Sequence, residues 1–302
     1  MNVPADAAEP ARATSIGLVG LGLVGRALGE RLAAAGHALV GHDRDPAASA
    51  AWAGPGRRVV SSPAAVAAAC HAVVLAVFDT DGVLAVVEGP GGLRDGGPLQ
   101  LVIDCSTGDP DVLQALAERL ARHGSDFIEA PLSGSSQQIE HGQATMLVGA
   151  NDEALARHAA LLDALAPRRI HVGGPGMGAR AKLATNLVLG LNRAALAEGM
   201  VFAERMGIAP ARFLELVLAT PARSDAALAK GGKMVQGDFT PQSRIRQHLK
   251  DVELMLAQAA TAGQRLPLSA THAALLRAAV AAGDAELDNA AILRQLRRES
   301  SP

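Results

Sequence analysis

At 302 residues, 49% of them apolar and 19% charged, the chain is long enough for two ordinary domains and too apolar to be disordered in its bulk. A formal net charge of −2 argues against a polyanionic partner, and 2% aromatics with no tyrosine leave little to stack on the bases of a nucleic acid. Cys70 and Cys105 stand without CxxC spacing or a His/Cys cluster, which excludes a disulfide framework and a structural zinc site. No metal is expected, and what remains is a soluble, cytoplasmic α/β protein of an enzymatic kind.

The opening residues 1–13 are rich in Ala and Pro, carry acidic charges first and lack an apolar core, so they read as a disordered tail rather than a secretory leader. No apolar run is long enough to cross a membrane. From there strand and helix alternate. Ser15–Val19 reads as a strand, 24–35 as a helix stopped by Gly36, and Ala38–His42 as a second strand. Val73–Phe78 and Leu101–Asp104 have the β-branched character of buried parallel strands, and a helix over 109–122 leads to a strand at 127–129. Two more strands fall at 146–148 and 169–172. This rhythm predicts a doubly wound parallel sheet of the Rossmann type over residues 14–174.

After Gly173-Gly174-Pro175-Gly176 the strand signals end. A helix of nearly thirty residues is expected from Met177 to about Met206, and further helices over 209–218, 224–234, 243–262, 267–282 and 288–298. The expected second domain, residues 175–302, is therefore all-α and opens with a long interdomain helix.

Four groups of residues carry chemistry. Gly20-Leu21-Gly22-Leu23-Val24-Gly25 is a GxGxxG between strand and helix: a tight turn, a bare approach for a pyrophosphate, and a helix N-terminus to bind it. Asp43, ending the second strand, can accept from the adenosine ribose hydroxyls and repel a 2′-phosphate. Arg44 beside it reads either as a partner for that phosphate or as a solvated surface arginine. NAD is the expected cofactor, with NADP the alternative. In the second group, Asp104–Thr107, Ser106 and Thr107 either bond a ribose or substrate, or Thr107 or Asp109 caps the next helix. Cys105 reads as a packed small hydrophobe.

The third group, Ala130–Ser136, sets Ser133, Gly134 and Ser135 just after a strand. It reads either as a nest of N–H groups and hydroxyls for a carboxylate or as a plain surface loop. The fourth is Lys182 with Asn186, one helical turn apart. Ala181, Leu183, Ala184, Leu187, Val188 and Leu189 around them suggest a largely buried helix. A lysine there either snorkels or, desolvated, acts as an acid–base group. Lys250-Asp251 is a similar polar island, whose plain reading is a solvated intrahelical pair.

In this order the motifs resemble the β-hydroxyacid dehydrogenase family, which includes 3-hydroxyisobutyrate dehydrogenases, tartronate semialdehyde reductases and threonate dehydrogenases. The likeness runs through residues 16–25, Asp104–Thr107 with Pro110, Ala130–Gly134, Gly176-Met177-Gly178, Lys182, Asn186, Leu249-Lys250-Asp251 and Leu266-Pro267-Leu268. It implies that Lys182 is the catalytic lysine, that Ser133 and Gly134 bind a substrate carboxylate, and that Asn186 contacts the substrate. It also implies that Lys250, among the cofactor-binding residues, closes the cleft from the helical domain, and that Thr107 with Val77 and Phe78 lines the nicotinamide. The sequence departs from the family at Val24, at Ser135-Ser136-Gln137-Gln138 and at Phe78-Asp79, two of the three beside the expected substrate. The implied partner is a small carboxylate, and the implied assembly a homodimer or homotetramer built through the helical domain. Two other readings are an imine reductase, against which the retained Lys182 argues, and a non-catalytic cofactor-binding scaffold.

Overall fold

The computed structural model describes residues 15–300, so the tail expected over 1–13 lies outside the described residues. The chain divides into two compact units, one made of residues 15–106, 110–132 and 138–178, the other of residues 107–109, 133–137 and 179–300.

The first unit opens with β1 (Ser15–Val19), α1 (Leu23–Ala34), β2 (Ala38–His42), α2 (Pro46–Trp52), β3 (Arg57–Val59) and α3 (Pro63–Ala69). It continues with β4 (Ala72–Leu75), α4 (Thr80–Glu88), β5 (Leu101–Asp104), α5 (Pro110–Ala121) and β6 (Asp126–Glu129). Then come β7 (Leu132–Ser133), α6 (Ser136–Glu140), β8 (Thr145–Gly149), α7 (Asp152–Arg157), α8 (Ala159–Leu165) and β9 (Arg168–Gly173). The strands form one sheet in the order β3-β2-β1-β4-β5-β6-β8-β7, with β9 paired to β8. Six strands, from β3 to β6, run parallel, in the doubly wound arrangement. The sheet departs from the expected all-parallel pattern at one step: β8 runs antiparallel to β6, and β9 then lies parallel to β8. Between β6 and β8, α6 has only five residues and β7 itself pairs with β8, so this link does not run back over the sheet as a crossover.

Leu18, Leu28, Leu32, Leu101, Ile103 and Ile128 build the core of this unit. Three short helices that hydrophobic periodicity did not reveal are set by their first residues. Asp45, Ser62 and Asp79 each accept a backbone N–H from α2, α3 or α4, and Pro46 and Pro63 follow the first two caps. The strand expected over Val73–Phe78 ends at Leu75. Beyond it the Val77 N–H donates to Ser106 Oγ at 3.0 Å, so a side chain replaces the next strand partner.

The second unit is helical: α9 (Met177–Arg205), whose first two residues group with the βα unit, then α10 (Pro210–Ala219) and α11 (Asp225–Gln236). α12 (Ile245–Thr261), α13 (Pro267–Ala281) and α14 (Ile292–Glu299) complete it. Leu196, Met200, Met234, Ile245, Met255, Leu276 and Leu293 meet in its core. α9 runs unbroken for 29 residues, as expected, but it is not buried all round. Ala184 is exposed, Val188 and Phe202 are 57% and 66% exposed, and Met206 just past the helix is 67% exposed. The reason is its two-sided apolar pattern: one face packs on the unit's core and the other is left exposed.

Candidate active site

The glycine turn is built from missing side chains. Gly20 has φ +92°, and a Cβ there would strike the Ala76 carbonyl oxygen at 2.3 Å. A Cβ on Gly25 would lie 1.8 Å from the Gly20 carbonyl oxygen, so this position lets α1 start against the turn. Gly22 differs: it is exposed, and a Cβ would meet nothing within 4 Å. Its bareness serves no internal packing. Gly22 is also the N-cap of α1, and no side chain caps the helix, which leaves its first-turn N–H groups for an anion. This cradle fits a pyrophosphate.

Asp43 is tied to that turn. Its Oδ2 accepts from the Leu21 N–H at 2.6 Å and its Oδ1 from the Asp45 N–H at 2.8 Å. A carboxylate has further lone pairs, so Asp43 retains acceptors for a ribose hydroxyl. Leu21 is buried, Leu23 and Val24 are half-buried, and Arg44 is exposed. Val77 packs beside Gly20. Phe78 is half-buried just past β4. Gly20–Gly25, Asp43, Val77 and Phe78 thus gather at the C-terminal ends of β1, β2 and β4, the edge where doubly wound sheets bind ligands.

Thr107 and Lys250 group with the helical unit. Ser106 Oγ is engaged by Val77, and Asp104 Oδ1 accepts from the Ser106 N–H at 2.9 Å. Burial pushes the Cys70 thiol up to about 11, and fully buried Cys105, beside Asp104, is raised well above its usual range, so neither is a thiolate. Among the described residues no group of three or more His, Cys, Asp or Glu is placed to hold a metal ion.

In the helical unit Lys182 and Asn186 are each 8% exposed on one face of α9. Burial pulls the Lys182 pKa down to about 8; Asp251 holds it up, while the charges of Lys250 and Arg193 push it lower. Asp251 is the centre of the cluster. Its Oδ2 accepts from Asn186 Nδ2 at 3.3 Å, and its Oδ1 pairs with Lys250 Nζ at 2.9 Å. Lys250 Nζ also donates to the Thr107 carbonyl oxygen at 2.6 Å. Asp251 is buried, so Lys250-Asp251 is not a solvated pair. α12 turns it inward with Ile245, His248, Val252 and Met255. Asp251 was missed as a site residue, although an aspartate on the apolar stripe of that helix was the signal for it.

Ser133, Gly134 and Ser135 also group with the helical unit; Gly134 is exposed, and Ser133 and Ser135 are half-buried. The loop is tied on by Gln242 Nε2, which donates to Gln137 Oε1 at 2.7 Å. A further residue escaped the sequence reading. Glu129, 1% exposed at the end of β6, accepts from the Gly176 N–H just before α9. An anion there complements the start of the long helix.

A family model describing the NAD binding domain of 6-phosphogluconate dehydrogenase matches residues 15–174. A second, describing the NAD-binding of NADP-dependent 3-hydroxyisobutyrate dehydrogenase, matches residues 176–296. The chain belongs to the β-hydroxyacid dehydrogenase family. It is accordingly an NAD(P)-binding oxidoreductase. Among its relatives, 2-(hydroxymethyl)glutarate dehydrogenase of Eubacterium barkeri is 28% identical, over 94% of this chain and 95% of that protein. The 2-hydroxy-3-oxopropionate reductase of Escherichia coli K12 is also 28% identical, over 93% of this chain and 96% of the relative. A solved structure, 3-hydroxyisobutyrate dehydrogenase from Salmonella typhimurium, superposes with a TM-score of 0.84 at 27% identity, covering 93% of this chain and 99% of the other.

Proposed function

We propose that the chain catalyses hydride transfer between NAD(P) and the hydroxyl carbon of a small β-hydroxyacid, or the corresponding semialdehyde or keto acid, with Lys182 as general acid and base. The observation that carries this reading is a buried lysine, drawn down to about 8, one turn from Asn186 and electrostatically coupled to Asp251. When bound, NAD(P) accepts or supplies the hydride. Lys182 does the proton's share. As neutral amine it takes the hydroxyl proton while the carbinol carbon becomes a carbonyl; as ammonium it returns a proton to the carbonyl oxygen in reduction. A pKa near 8 leaves both forms accessible around neutrality.

Asn186 spends an N–H on Asp251, which fixes its amide and turns its Oδ1 toward a substrate hydroxyl. Ser133, Gly134 and Ser135 hold the substrate carboxylate, Val77 and Phe78 line the nicotinamide, and Lys250 fixes the 107–109 segment through the Thr107 carbonyl. In this reading residues 14–174 bind the cofactor and 175–302 supply substrate and oligomer contacts. Asp43 supports NAD over NADP, since a 2′-phosphate beside its carboxylate would be repelled, with exposed Arg44 the counterweight. Exposed Val188 and Phe202 on α9 and Met206 just past its end, with Leu216, Leu228 and Leu268 on neighbouring helices, support a homodimer or homotetramer. No described helix is long and apolar enough to cross a membrane, and the reading places the protein in the cytoplasm.

The test is a panel of small hydroxyacids and cyclic imines with NAD and NADP, followed by the absorbance of reduced nicotinamide. Turnover of hydroxyacids and none of imines is expected. Turnover of imines alone would overturn the reading.

A further inference from the structure

The proton transfer described above leaves one buried cation of the helical unit without a task. Arg193 is 5% exposed, and neither its Nε nor its Nη1 has a hydrogen-bond partner. Burial draws its pKa down to about 10 against the pull of Asp288, so it is charged at neutral pH. An unpaired guanidinium in an interior is costly, because its donors lose water and gain nothing.

The carboxylates nearby are engaged elsewhere. Asp288 Oδ2 accepts from Lys230 Nζ at 2.9 Å and from the N–H groups of Gln242 at 2.8 Å and Ser243 at 3.2 Å. Its Oδ1 accepts from the Ala290 N–H at 3.1 Å. Asp251 is held by Asn186 and Lys250. Lys182, Arg193 and Lys230 therefore share the unit's interior with three buried carboxylates, all of them engaged, since Asp284 pairs with Arg294 and Arg298. His248 and His272 add no negative charge, and burial keeps both neutral.

The location is specific. At about 100° per residue, positions 182, 186 and 193 fall within about 40° of one another on α9. Helical side chains lean toward the N-terminus, so Arg193 lies over Gly190 and toward Asn186. Gly190 keeps this lane open for a ring: a Cβ there would sit 2.5 Å from His248 Nε2. That nitrogen is itself buried without a partner. Lys182 feels the positive field of Arg193 directly. Unmet donors thus continue the Lys182–Asn186 stripe on one side.

We infer that Arg193 is a second anion anchor of the substrate site, selecting β-hydroxyacids that carry a second carboxylate. The inference rests on the Lys182 reading above, with the first carboxylate held by the 133–135 loop. The second carboxylate meets the guanidinium as a charge-assisted pair with His248 beside it, and relieves the cost of the unpaired cation.

The experiment compares 2-(hydroxymethyl)butanedioate with 2-(hydroxymethyl)pentanoate, in which an ethyl group replaces the second carboxylate, in the wild type, Arg193→Met and Arg193→Lys. The wild type should favour the diacid in kcat/KM by about tenfold or more. Above about pH 9, where Lys182 is neutral with or without the Arg193 charge, Arg193→Met should lose about a hundredfold on the diacid and at least about tenfold less than that on the monoacid, with Arg193→Lys between them. Arg193→Met should melt no lower than the wild type. Equal losses on both substrates, or a wild type indifferent to the second carboxylate, would overturn the inference. Binding separates it from the hydride-transfer reading. On enzyme loaded with NAD(P), succinate should raise Tm more than butyrate in the wild type and not in Arg193→Met, even if neither hydroxyacid is turned over. No such difference would also overturn it.

Discussion

Among the described residues, the βα unit buries Ser49, Asp104, Ser106, Ser125 and Glu129, and no cation. The helical unit buries Lys182, Arg193 and Lys230 together with Asp251, Asp284, Asp288, His248 and His272. In the first unit the candidate ligand surface is backbone: a bare Gly22, an uncapped helix and a carboxylate already fastened to the turn. In the second the surface is buried charge. Binding a pyrophosphate needs only oriented N–H groups, which backbone supplies at little cost. Moving a proton needs a group whose pKa has been drawn toward neutrality, and burial among other charges does that.

The largest effect that would break this contrast is on Lys182. Lys182→Ala should leave folding and cofactor binding nearly intact and lower kcat by about 10²–10⁴-fold. Lys182→Arg should not rescue it, since guanidinium holds its proton at working pH. An alanine variant keeping more than about a tenth of the wild-type kcat would assign the proton transfer elsewhere.

The glycine turn separates packing from binding within one motif. Gly25→Ala forces a Cβ to 1.8 Å from a carbonyl oxygen, and should destabilise the βα unit by about 2–4 kcal/mol in denaturant titration. Gly22→Ala has open space around it and should melt like the wild type, yet lose about tenfold or more in NAD affinity by fluorescence titration. Equal stability losses in the two variants would contradict the division of roles.

The pH profile probes the charged interior. In oxidation kcat/KM should climb below pH 8 and level off above it, as Lys182 becomes neutral; in reduction activity should fall above the same pH. Asp251 favours the ammonium, so Asp251→Asn should move the midpoint down. A midpoint that stays in place would detach Asp251 from the lysine.

The smallest effect concerns cofactor choice. Asp43→Ala should narrow the preference for NAD, and because Asp43 also holds the Leu21 N–H, it should weaken both cofactors by several-fold. Arg44→Ala should weaken NADP alone. A wild type that uses NADP about tenfold better than NAD would reverse the reading of Asp43.

Much of this was legible in the sequence, for a physical reason. β1, the glycine turn, α1 and β2 are dictated by local patterning: strand hydrophobicity, a turn that excludes side chains, a helix stop at Gly36. The long run from Met177 to Arg205, with Lys182 and Asn186 on one stripe, follows from helical geometry alone. The brief helices α2 and α3 were less visible to periodicity, although Asp45-Pro46 and Ser62-Pro63 marked their starts.

What only the tertiary structure decided are relations between residues far apart in the chain. Asn186 and Asp251 are separated by 65 positions, and no local pattern says that they meet. The same holds for Lys250 reaching the Thr107 carbonyl, for Asp43 holding the glycine turn, and for the antiparallel step from β6 to β8. Whether a charge on an apolar helix is solvated or buried depends on the elements packed against it. That is why Arg193 was silent in the sequence, and why α9, apolar on two faces, could be read as buried when one face is open. Sequence periodicity shows which residues share a stripe; packing determines what the stripe faces, and with it the pKa of Lys182.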